Sequence, residues 1–153
     1  MGTGRFPLSA QLLRRAGDLV SAGGDSVAPR LPVRLAWVSA ELAMFTGDGS
    51  TAVAHAERAV DLASDLGSAR HDTKSRVVLA AALCSTGNIE ASRTVADDAL
   101  LTAQQHGLVP LSWAVASLLV DVGSAVHSLP QIVALRDASA GVVVHRGGAW
   151  TAR

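Results

Sequence analysis

The sequence predicts an all-α fold, a stack of antiparallel helix pairs comprising about seven helices, and three observations carry that expectation. Apolar residues make up 49% of the 153 but aromatics only 3%, and tyrosine is absent, so alanine, leucine and valine supply the hydrophobicity. Alanine is the best helix former and lets helices approach closely, whereas a β-sandwich needs aromatic and β-branched bulk. Glycines recur in register: Gly47-Asp48 and Gly87-Asn88 lie 40 residues apart, as do Gly67 and Gly107. The same shift of 40 puts Ala40 on Ala80, Ala56 on Ala96, Ala59 on Ala99, Ala63 on Ala103 and Val60 on Leu100. A fixed period of this size marks stacked helical units.

The elements follow in order. Arg15-Ala16-Gly17-Asp18-Leu19 echoes Arg58-Ala59-Val60-Asp61-Leu62, and Gly24 echoes Gly67, so an unpaired helix is expected at about 9–22. A proline-marked linker at 28–32 precedes the first full unit, about 32–67. Its first helix runs from about Pro32 to Thr46, and Gly47-Asp48-Gly49 forms the turn. Glycine ends a helix by adopting the left-handed conformation, while Asp48 or Ser50 can accept from free amides of the next helix. That second helix spans about Ser50 to Leu66, with Gly67 as its stop. Its Val53, Ala56, Ala59, Val60 and Ala63 recur at three- and four-residue steps, which places them on one face.

The second unit, about 72–107, repeats this logic. A helix from about Thr73 to Ser85 meets Gly87-Asn88, and another from about Glu90 to Gln105 ends at Gly107. The third unit, about 110–144, opens with a helix from Pro110 to Val122 that Gly123 closes. Pro110 suits a first turn, where its missing N–H costs nothing. Counting back seven residues from each turn glycine gives Ala40, Ala80 and Ala116, small side chains where two helices cross closely. The last helix is expected at about Pro130 to Val144, with Val142-Val143-Val144 either continuing it or fraying, and residues 145–153 as a tail. The chain then reads as one domain over 1–144.

These features resemble tetratricopeptide (TPR) motifs, especially the roughly 40-residue variety found in LuxR-family, maltose-activator-type regulators. The residues that carry the resemblance are Gly47-Asp48, Gly87-Asn88, the small residues Ala40, Ala80 and Ala116, and the second-helix alanines Ala52, Ala59 and Ala99. The string from Arg58 to Gly67 is particularly similar to that variety's second helix. The chain departs from the usual pattern where tyrosine and tryptophan give way to Ala, Leu and Val, and where the closing proline is missing; a plain helical bundle is the alternative. The resemblance implies a right-handed α-solenoid whose first helices line a concave groove. By position, that groove would show Arg34, Trp37, Glu41, Met44 and Phe45 from the first unit. The second unit would offer Lys74, Val77, Ala81, Cys84 and Ser85, and the third Trp113, Ser117, Val120 and Asp121. Trp37 and Trp113 fall at equivalent places; either can face the groove or pack between neighbouring helices.

Thirteen Lys and Arg balance thirteen Asp and Glu, which argues against direct nucleic-acid binding. Cys84, the only cysteine, excludes an internal disulfide. The opening MGTGRFPLSAQLLRR lacks the apolar core of a secretory signal. The longest apolar run, Val77 to Cys84, falls far short of the roughly 20 residues that span a bilayer. A soluble cytoplasmic protein without membrane contact is the expectation.

Convergent polar groups are what catalysis requires. His55, His71, His106, His127 and His145 sit mostly near expected helix ends or turns, and no HExxH or CxxC occurs. Asp97-Asp98 are adjacent and point apart, while Asp61 and Asp65 share a solvated face. Gly47-Asp48-Gly49-Ser50 lacks the lysine and the preceding strand of a phosphate loop. No active site, metal site or cofactor is expected. The leading expectation is a non-catalytic scaffold or adaptor that holds a protein or peptide in its groove. Two alternatives stand beside it: a homodimer formed through an apolar end at Val142–Val144 and Trp150, and a small-molecule-sensing helical domain.

Overall fold

Gly47, Gly67, Gly87, Gly107 and Gly123 all take positive φ, between 63° and 82°, and each lies at the end of a helix. The computed structural model describes residues 30–146, with side chains through residue 141. Six helices fill it: α1 (Leu31–Phe45), α2 (Gly49–Leu66), α3 (Ala69–Ser85), α4 (Ile89–Gln105), α5 (Val109–Val122) and α6 (Leu129–Arg146). The expected helix at 9–22 and the tail beyond residue 146 lie outside the described residues.

Side-chain caps set four of the starts, that of α6 through Ser128, which accepts from the Gln131 amide at 3.3 Å. Asp48 accepts from the Thr51 amide at 3.3 Å and from the Thr51 hydroxyl at 2.7 Å. These bonds from the Thr51 hydroxyl and amide hold the Asp48 carboxyl below its ordinary range. Asn88 accepts from the Ala91 amide at 3.4 Å, and Ser68 from the His71 amide at 3.3 Å. The Ser68 cap corrects one expectation: α3 begins at Ala69 and not near Thr73, because Ser68 restarts the chain immediately after Gly67. His71 is therefore a first-turn helical residue and not part of a linker. At the other end α6 continues through Arg146, so the backbone of Val142–Val144 is helical.

Turns of two or three residues join α1 through α5, so each helix runs antiparallel to the one before it and packs on it. The chain therefore stacks as consecutive helix pairs. Beyond these neighbours, α1 packs on α3 and α3 on α5, while α2, α4 and α6 make no such second-neighbour contact among the described residues. The odd-numbered helices form one continuous row, called the inner row below, and each even-numbered helix packs only on its odd-numbered neighbours among the described residues. Because α3 touches four other helices, it is buried nearly all round, which explains its lack of a distinct apolar stripe.

Alanine makes this close packing possible. Ala40, Ala80 and Ala116 have no exposed surface, as expected for crossing points. At the second of these, the buried Ser92 hydroxyl of α4 donates to the Ala80 carbonyl of α3 at 2.7 Å. One core cluster, with Leu100, Val115, Leu119 and Ile132 as its bulk, joins α3 to α6. A smaller one, built on Ala40, Ala43, Ala52, Ala56, Val78 and Ala82, joins α1 to α3. No described helix is long and apolar enough to cross a membrane.

Candidate functional site

In a row of parallel inner helices, residues one repeat apart become neighbours. Arg30 and Arg70 are 40 residues apart, and so are Arg34 and Lys74. All four line one cavity of about 530 Å³ at the N-terminal ends of α1, α3 and α5. Trp37 and His71 also line it, and the α4–α5 turn and the start of α5 close it with Gly107, Leu108, Pro110 and Leu111. No carboxylate contributes to the wall. Among the described residues, none of Arg30, Arg34, Arg70 and Lys74 forms an ion pair; the ion pairs present use Arg76, Arg93 and Arg136 instead.

Trp37 is fixed at this site. Its Nε1–H donates to Ser75 Oγ at 2.8 Å, and the Ser75 hydroxyl donates in turn to the His71 carbonyl at 2.7 Å. The indole stacks on the His71 ring, with centroids 5.5 Å apart and planes 21° from parallel. Lys74 Nζ lies 5.7 Å from the indole centroid, within cation–π range. Trp37 thus ties α1 to α3 and also forms part of the cavity wall.

His71 is only 7% exposed. Its Nδ1 is 2.9 Å from Ser68 Oγ, and no described residue partners its other ring nitrogen. Burial, then the positive charges of Arg30, Arg34 and Arg70, pushes its pKa below the ordinary 6.5.

The groove expected from the sequence is distributed along the inner row. Arg34, Trp37 and Lys74 come together at the cavity. Glu41, Met44 and Phe45 lie farther along α1, with Met44 half-buried against the smaller core and Phe45 exposed. Val77 and Val120 pack beside the larger core. Trp113, on the first half of α5, is 45% exposed, and Asp121 is exposed near that helix's end. Ala81, Cys84 and Ser117 are half-buried and Ser85 is exposed.

Arg30, Arg70, His71 and the α4–α5 turn were not among the candidates. The signal for the two arginines was present in the 40-residue spacing of the basic residues, which the glycine and alanine register had already defined; no such signal marked His71 or the turn. Asp97 and Asp98 do diverge: Asp97 accepts from the Ala125 amide at 2.8 Å, and Asp98 faces Arg76 at 3.6 Å. Among the described residues, no group of three or more His, Cys, Asp and Glu is placed to hold a metal ion. Comparison of the chain with protein-family models, with curated proteins and with solved structures finds no match.

Proposed function

We propose that the chain is a non-catalytic interaction scaffold that holds a protein segment along the inner row formed by α1, α3 and α5. The observation that carries this reading is Trp113, which leaves 45% of its surface exposed on the same helix, α5, that supplies Val115, Ala116, Leu119 and Val122 to the larger core. Aromatic side chains presented in this way are the usual anchors of protein interfaces. Half-buried Met44, Val77 and Val120 extend the apolar strip, and Glu41 and Asp121 give it a polar edge. The inner row is also the side on which successive units touch, so a bound segment can contact several units at once.

The test is selection of peptides on the folded chain from a displayed library. Peptides so obtained are expected to bind Trp113→Ala about tenfold more weakly than wild type. Leu101→Ala, which removes a 54% exposed side chain from the outer helix α4, should leave binding unchanged. Equal binding to wild type and Trp113→Ala would remove the inner row as the docking face.

A further inference from the structure

We propose that the basic cavity at the N-terminal ends of α1, α3 and α5 binds a small organic phosphate, a phosphate ester carried on an apolar or aromatic body. Four cations, Arg30, Arg34, Arg70 and Lys74, line it with no carboxylate beside them and no ion-pair partner among the described residues. Like charges gathered round one concave space repel one another and focus a positive potential into it, which an anion relieves.

The details of the wall favour phosphate. Arginine presents a planar fork of donors that matches phosphate oxygens, and lysine adds a point charge. Three inner helices direct their positive ends at the same space, and neither α1 nor α5 has a side-chain cap competing for its N-terminal amides. His71, more than nine-tenths buried, lines the cavity with one ring nitrogen held by Ser68 and the other unpartnered among the described residues. That nitrogen is a hydrogen-bonding group beside the four cations, in a space whose remaining wall is Trp37, Gly107, Leu108, Pro110 and Leu111. A volume of about 530 Å³ falls in the range typical of small-ligand sites and exceeds what a bare phosphate fills. The apolar wall accounts for the remainder as the seat of the ligand's organic body.

The inference goes beyond the scaffold reading and does not depend on it, since it needs no protein partner. It is tested by calorimetric and tryptophan-fluorescence titration of the full chain with 1-naphthyl phosphate, 1-naphthol, inorganic phosphate and a hexaglutamate peptide. 1-Naphthyl phosphate is expected to bind at one saturable site, about tenfold or more tighter than 1-naphthol or inorganic phosphate, and to weaken as salt is added. Arg34→Gln and Arg70→Gln each alter an exposed residue, so both variants should keep wild-type helicity while losing about tenfold in affinity. Trp113→Ala should bind the probe as wild type does. Equal affinity for 1-naphthol and its phosphate would overturn the proposal, as would folded arginine variants that bind undiminished. Tighter binding of hexaglutamate than of 1-naphthyl phosphate would also overturn it, by making the cavity a docking point for acidic protein segments.

Discussion

Thr73 has no exposed surface, and its hydroxyl has no hydrogen-bond partner among the described residues. A buried hydroxyl left without a partner costs about 1–3 kcal/mol, and valine fills the same shape without that cost. Thr73→Val is therefore expected to raise stability by about 1 kcal/mol in urea unfolding, whereas a loss would show that the hydroxyl is satisfied. Trp37 shows how far single residues could be read. The resemblance to TPR motifs placed it on a groove-lining first helix and left open whether it faces the groove or packs between helices. Its fixation was not, because the Ser75 bond and the His71 stack both depend on where α3 begins. With α3 expected to start near Thr73, nothing suggested that His71 was helical, buried and in contact with Trp37.

Apart from the start of α3, the ends of the described helices were legible to within about two residues, because the signals that end them are local. Glycine with positive φ closes α1 through α5 or lies one residue beyond the cap, and Asp48 and Asn88 start the helices that follow two of these turns. At Gly87 φ is 82° and nothing lies within 4 Å of an added Cβ, so backbone strain is the only cost of a side chain there. Gly87→Ala is expected to lower stability by about 1–2 kcal/mol. Gly87→Asn should lose less, since asparagine tolerates the left-handed region; equal losses, read by thermal and urea unfolding, would argue against that conformation. Gly49 is different: an added Cβ would come within 2.7 Å of Thr86 Cγ2, which shows that turns one repeat apart abut. The longer α5–α6 connection was not legible, because distant side chains hold it. Arg93 donates to the Val122 and Gly123 carbonyls at 2.9 and 3.1 Å, and Asp97 accepts from Ser124 and Ala125. No local pattern announces bonds that span 27 to 30 residues.

For the whole molecule, the 40-residue register correctly implied stacked helix pairs, while zero net charge concealed how the charge is arranged. Overall neutrality argues against a broad basic face, yet stacking brings Arg30 to Arg70 and Arg34 to Lys74 around one cavity. A sum over the chain cannot show this; the repeat spacing of the basic residues can. His71 is the internal probe of that convergence, being buried and facing three of the arginines. Its folded pKa lies below 6.5, so between the two values the unfolded chain takes up a proton that the folded chain refuses. His71 therefore leaves stability unaffected well above pH 6.5 and lowers it as pH falls through 6.5 toward the folded value. The most direct measurement is an NMR pH titration of His71 in wild type and in the Arg34→Gln/Arg70→Gln variant. The expected result is a wild-type midpoint below 6.5 that rises in the variant yet stays below 6.5, because burial remains. A wild-type midpoint at or above 6.5, or one unmoved by removing both charges, would contradict the convergence of two repeats on a single basic cavity.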